Sequence, residues 1–239
     1  MSDVRQLKAS ITGLVGFAAA EEQVLLAGTP PGEIGDAASW AATPVVAHNT
    51  EFKSQQVRRL AAIRQREVPP EFAEIDHTDA DVYRRYAVAA AEAAATESTR
   101  VTGELIGGLR AADAEDLLDP SRNPWLKGRQ LWLQIVVRGF WHPTGHLAGY
   151  YLAHGEPARA VAMTGHGLAT ARYLGVPSEA AGMAAYNLAC AQATAGLLAD
   201  AASTVRETVE LNPGLRAKVW TEPDLAPLRD AGLLERVRA

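Results

Sequence analysis

Two histidines four residues apart, His142 and His146, present their imidazoles on one helix face and can share a metal ion. A third, His48, stands between Val45 and Phe52, on the flank of an earlier helix that its apolar pattern turns inward. Three histidines converging inside a helical bundle leave a fourth position for water or substrate, as in catalytic rather than closed structural sites. Each imidazole must be neutral to donate its lone pair. Glu51, three residues after His48, reads either as acceptor for the second ring proton or as an exposed helix carboxylate. Arg138, one turn before His142, reads either as holder of an anionic substrate group or as a surface salt-bridge partner. Tyr150, one turn after His146, is either a proton donor or a packing residue. Asn49 points elsewhere on its helix, and His77, His154 and His166 read as solvated or capping. The single cysteine, Cys190, excludes an intrachain disulfide framework and a Cys-based zinc site, and occupies a small packing position. No Gly-rich phosphate loop, Ser-His-Asp order or Cys-His pairing stands out.

The elements that must position these groups are helical. A first helix over 3–27 ends at Gly28-Thr29-Pro30-Pro31-Gly32. Thr43 as N-cap and Pro44 at the first helical position open a second helix, whose flank carries Val45, His48, Phe52, Gln55 and Arg59 as far as Pro69-Pro70. Thr78 with Asp81 resembles a capping box for a third, Ala-rich helix over 79–110. A fourth is expected from near Lys127, with Leu131, Trp132, Ile135, Val136, Phe140 and Trp141 apolar. Pro143 inside it costs ~3 kcal/mol, so either that helix kinks near Gly139 or a new one starts at Pro143. Four long helices with modest loops predict an antiparallel or up-down bundle.

Beyond His154 the helices shorten. Gly155-Glu156-Pro157-Ala158-Arg159-Ala160 aligns with Gly196-Leu197-Leu198-Ala199-Asp200-Ala201, 41 residues on, which predicts helical-hairpin repeats. The stretch from Tyr186 to Pro213 resembles a divergent tetratricopeptide repeat, with Ala185 at the usual Trp and small residues at Ala189 and Ala201. The tail from Glu222 to Leu228 resembles the short helix closing such arrays. With two units visible, and the first borrowing the helix end around 147–152, the repeats are expected to dock on the bundle.

The expected class is all-α, with 1–154 as the bundle and 155–239 as the extension. A content of 48% hydrophobic and 21% charged residues argues against disorder. The net charge of −5, with basic residues scattered, argues against nucleic acid or a membrane surface as partner. No stretch is read as reaching the ~20 apolar residues of a membrane span. Arg5, Lys8 and Ala18-Ala19-Ala20 mimic a signal peptide, but the stripe Leu7, Ile11, Leu14, Val15, Ala18, Glu22, Leu25 continues past that point, so a cytoplasmic protein is expected.

The stretches from Trp40 to Thr50 (Trp40-Ala41-Ala42-Thr43-Pro44-Val45-Val46-Ala47-His48-Asn49-Thr50) and from Trp141 to Leu147 (Trp141-His142-Pro143-Thr144-Gly145-His146-Leu147) resemble the signatures of the DinB-like superfamily. That superfamily includes mycothiol-dependent maleylpyruvate isomerases, bacillithiol transferases and ClbS/DfsB proteins. The resemblance implies a four-helix bundle and a divalent metal, commonly zinc or nickel, held by His48, His142 and His146. It further implies a metal-dependent thiol transferase, isomerase or hydrolase acting on an electrophilic small molecule, with mycothiol or another small thiol as co-substrate. Two alternatives stand beside it: a ClbS-like self-resistance protein and a non-catalytic tetratricopeptide-type adaptor. A homodimer and a peptide partner on the repeats are left open.

Overall fold

The computed structural model describes residues 2–29, 33, 35–36, 39–72, 84, 86–87 and 90–235. Among these the fold is all-helical, without a strand, and the chain divides into two compact units, Met1–His146 and Leu147–Ala239.

In the first unit, α1 (Ser2–Gly28) and α2 (Ala42–Gln65) pack with α3 (Ala91–Ala111). After the short α4 (Ala114–Leu118), α5 (Leu131–Val136) runs through a π turn, Val137–Trp141, into α6 (His142–Ala153). The core is the apolar stripe of each helix: Ile11, Leu14 and Val15 from α1, Val46 from α2, Val101, Leu105 and Leu109 from α3, and Leu131, Ile135 and Val136 from α5. Burying each such side chain stabilises the fold by roughly 1.5–3 kcal/mol, which anchors the helices that carry the histidines.

Several boundaries differ from the sequence expectation. Thr43 is not the cap of α2. Ala41 is the extended residue before the helix, and the Glu33 carboxylate accepts the Ala42 N–H at 2.6 Å, so a loop side chain supplies the cap. The expected third helix is interrupted: Arg84, Tyr86 and Ala87 are helical, Ala90 is extended (φ −74, ψ 142), and α3 runs from Ala91; Thr78, Asp81 and the expected start at 79 lie outside the described residues, as do Pro30, Pro31, Gly32 and His77. Lys127 lies at positive φ beside Gly128, so the fourth helix opens at Leu131 rather than near Lys127. Around Pro143 the chain stays helical. The His142 N–H bonds the Val137 carbonyl five residues back, and α6 restarts at His142, so Pro143 falls in a first turn where no N–H is required. The Thr144 hydroxyl donates to the Phe140 carbonyl at 2.8 Å. Gly139 is the close approach: a Cβ there would lie 2.7 Å from Val15 Cγ2 and 3.1 Å from Leu105 Cδ2.

α1 alone, over Asp3–Gly28, is long and apolar enough to cross a membrane among the described residues, which corrects the view that no stretch reaches that length. Its stripe is packed, and it carries a buried acid. The Glu22 carboxylate accepts from Lys53 Nζ (2.6 Å) and Ser98 Oγ (2.6 Å), while Lys53 also donates to Ser98 (3.2 Å) and Thr102 (3.1 Å). Glu22 and Lys53 are 0% and 1% exposed, so a desolvated ion pair ties α1, α2 and α3 together. Asn49 and Gln56, on the same stripe of α2, are also fully buried.

The second unit takes up the helix end from Leu147, then α7 (Pro157–Tyr173), α8 (Ser178–Thr194) and α9 (Leu198–Leu211), with α8 packed on both neighbours. The 41-residue offset recurs in the backbone. Gly155 (φ 74) and Gly196 (φ 79) both turn left-handed, where only glycine is free of Cβ strain. Glu156 N–H bonds the Tyr151 carbonyl at 2.8 Å, and Leu197 N–H bonds the Gln192 carbonyl at 2.8 Å. α7 and α9 then start two residues after their glycines. Ala189 and Ala201 are fully buried, and a Cβ on Gly182 would lie 2.6 Å from Asn212 Cβ, so small side chains set the helix spacing. Pro213–Leu215, α10 (Arg216–Thr221), Pro223–Leu225 and α11 (Ala226–Asp230) close the chain with short turns.

Candidate metal centre

His48, His142 and His146 meet inside the first unit, each offering a ring nitrogen within 4.8 Å of the others. α2 supplies the first; the restart of α6 after the π turn places the other two one turn apart on one face. Ring centroids lie 5.1 Å (His48–His142), 4.8 Å (His48–His146) and 4.4 Å (His142–His146) apart. His48 is fully buried, whereas His142 and His146 keep partial access to solvent.

The shortest contact sets the chemistry. Nε2 of His48 and Nε2 of His142 stand 3.1 Å apart. Two imidazole lone pairs repel at that distance unless a proton or a cation lies between them. Two nitrogens bound tetrahedrally at ~2.0–2.1 Å to one zinc ion stand about 3.3 Å apart, so the observed spacing fits a shared ion. These three histidines could therefore hold a divalent metal, and three neutral donors leave a coordination position over.

Aromatic rings wall the cluster. Phe52, one turn after His48, packs against it at 4.8 Å and stacks on His142 at 4.2 Å with 23° between planes. Trp40 and Tyr86 stand edge-on to His48, each at 5.4 Å. The Arg138 guanidinium carbon lies 4.4 Å from the Phe52 centroid, so the side chain is held against an aromatic face near the cluster. The Glu51 carboxylate accepts a hydrogen bond from the Tyr86 hydroxyl.

The sequence-derived candidates distribute as follows. His48, His142 and His146 come together, and Arg138 is attached to their wall through Phe52. Glu51 is engaged by Tyr86. Tyr150 falls in the second unit, buried, with its ring stacked on His154 at 4.0 Å. His154 Nδ1 lies 2.9 Å from the Tyr150 carbonyl, a helix-end contact, and His166 is exposed on α7. Cys190 is buried in α8, and burial pushes its thiol well above the ordinary value, with Asp224 and Glu222 adding to the shift. Tyr86 is the site residue that sequence reasoning missed: its partner Glu51 is 35 residues away, and no local spacing links them.

No family model, curated protein or solved structure matches this chain. The functional reading therefore rests on the two motifs and on the geometry of the histidines.

Proposed function

We propose that residues 1–154 form a DinB-like four-helix bundle and that His48, His142 and His146 bind one divalent ion, zinc or nickel. The protein then acts as a metal-dependent enzyme on an electrophilic small molecule, by thiol transfer, isomerisation or hydrolysis. The supporting observation is the convergence of three histidine nitrogens within 4.8 Å. Such an ion supplies an activated water or thiol as nucleophile near neutral pH. The chain does the rest. His48 is buried and the pair on α6 partly accessible, while Trp40, Phe52 and Tyr86 pack their rings around His48. Arg138, pinned on Phe52, is placed for an anionic group. Residues 155–239 are read as a tetratricopeptide-like extension, on the strength of the turn recurring after 41 residues. A cytoplasmic setting and mycothiol or a related thiol as co-substrate complete the proposal.

The test is metal content. Protein purified without an affinity tag should carry close to one divalent ion per chain by elemental mass spectrometry, and replacing all three histidines with alanine should abolish it. A wild-type protein that takes up no zinc or nickel on titration refutes the metal centre. Thiol–electrophile pairs screened with and without chelator then separate the readings: activity indifferent to chelation turns the case toward the self-resistance or adaptor alternatives.

A further inference from the structure

We infer that Tyr86, anchored through its hydroxyl to Glu51, is a positioning residue that fixes the His48 ring in its metal-binding orientation; this rests on the metal reading above. His48 projects from the second turn of α2 and is fully buried, so its ring orientation depends on its neighbours. Those neighbours are rings on several sides: Trp40 at 86° and Tyr86 at 74° edge-on, and Phe52 tilted at 53°. Phe52 belongs to α2, so its place is set by the helix itself. Tyr86 lies outside α2, and its ring also meets Trp40 at 6.2 Å.

A hydrogen bond ties Tyr86 to the helix. The phenol donates to the carboxylate of Glu51, three residues after His48 and thus on the adjacent turn of α2. Tyr86 is 6% exposed and Glu51 half-buried, so this bond to a carboxylate is partly shielded from water. It holds the ring that faces His48 to the turn of α2 that carries His48. Groups that orient metal-bound histidines commonly change metal affinity 10–100-fold when removed. Here the orientation comes through ring packing and the anchor through Glu51, so loss of either polar partner should have the same consequence.

The test uses the full-length protein and Co²⁺, whose visible absorption reports donor geometry. Wild type, Tyr86→Phe, Glu51→Ala and the double variant are titrated with Co²⁺ alone. The expected result is a roughly 10-fold weaker Kd in each single variant, a changed visible band, and a double variant no weaker than either single one. A merely structural role would lower the melting temperature and leave the band and Kd as they are. In metal-free protein, the His48 ring should give one set of NMR signals in wild type and broadened or doubled signals in Tyr86→Phe. Co²⁺ binding by Tyr86→Phe with wild-type affinity and spectrum overturns the inference while leaving the metal centre intact. Wild-type protein that binds no Co²⁺ removes both, and the metal-free NMR comparison then shows whether Tyr86 orders His48 at all.

Discussion

Replacing Lys53 with methionine should be among the most damaging single changes to the first unit. Methionine keeps much of the side-chain length and removes the ammonium, and with it three contacts at 2.6, 3.2 and 3.1 Å. Glu22 is left fully buried, with Ser98 as its remaining donor. A buried carboxylate stripped of its cation costs about 3–5 kcal/mol, a large fraction of the ~5–15 kcal/mol that holds a typical domain together. With a urea slope of ~2 kcal/mol/M, the unfolding midpoint should fall by about 2 M. Tryptophan fluorescence is the suitable signal, because Trp40, Trp125, Trp132 and Trp141 all belong to the first unit and Trp220 alone to the second. The companion variant is Lys53→Met with Glu22→Leu, which removes the stranded charge and should recover most of the loss. A single variant within ~1 kcal/mol of wild type, or a double variant as unstable as the single, refutes the view that these groups face each other as a desolvated ion pair.

Three further outcomes are expected. Gly139→Ala should lose about 1–3 kcal/mol by urea unfolding, because its Cβ would meet Val15 at 2.7 Å; partial rescue by Val15→Ala would locate the clash, and an unchanged midpoint would disprove it. Burial pushes the Glu222 carboxyl up, but hydrogen bonds from Tyr186 and Lys218 outweigh it and hold the group below its ordinary range. A lowered folded-state pKa gives stability that is present above the unfolded value and lost as pH falls through the folded one. Tyr186→Phe should therefore raise the Glu222 titration midpoint by ¹³C NMR and shrink the difference in second-unit melting between pH 7 and pH 3, whereas an unmoved midpoint would contradict it. Cys190, its thiol pushed well up by burial, should react with a thiol reagent at pH 8 only on the unfolding timescale, and prompt labelling of the native protein would count against its packed state.

What could be read in advance followed short-range periodicity. The four-residue step from His142 to His146 and the apolar flank around His48 are local patterns, and helical geometry turns them directly into a shared face. The glycine turns at Gly155 and Gly196 were legible for the same reason, since a positive φ leaves its mark on the residue type itself. The misses all involve partners distant in the chain. Glu22 sits in an otherwise apolar stripe and finds Lys53 on another helix; Glu33 caps α2 from a loop; Tyr86 meets Glu51 across 35 residues. The π turn was hidden differently. Pro143 signalled a backbone problem, yet nothing in its neighbourhood indicated that widening the preceding turn, rather than kinking or breaking, would solve it.

The repeated joint in the second unit bears on how such a chain changes length. Residues 155 and 196 are left by the same pair of backbone moves, a left-handed glycine and a hydrogen bond reaching back five residues. A tandem duplication of residues 156–196 would therefore meet, at its seam, the same glycine exit and helix start already present at both ends. Growth or loss by whole 41-residue modules leaves both the glycine exit and the helix start after it unchanged, although the same glycine exit also recurs at Gly175 and Gly232. The unit is in this sense copyable: unequal recombination at these glycines yields arrays that differ in number of hairpins but not in how any hairpin is joined to the next.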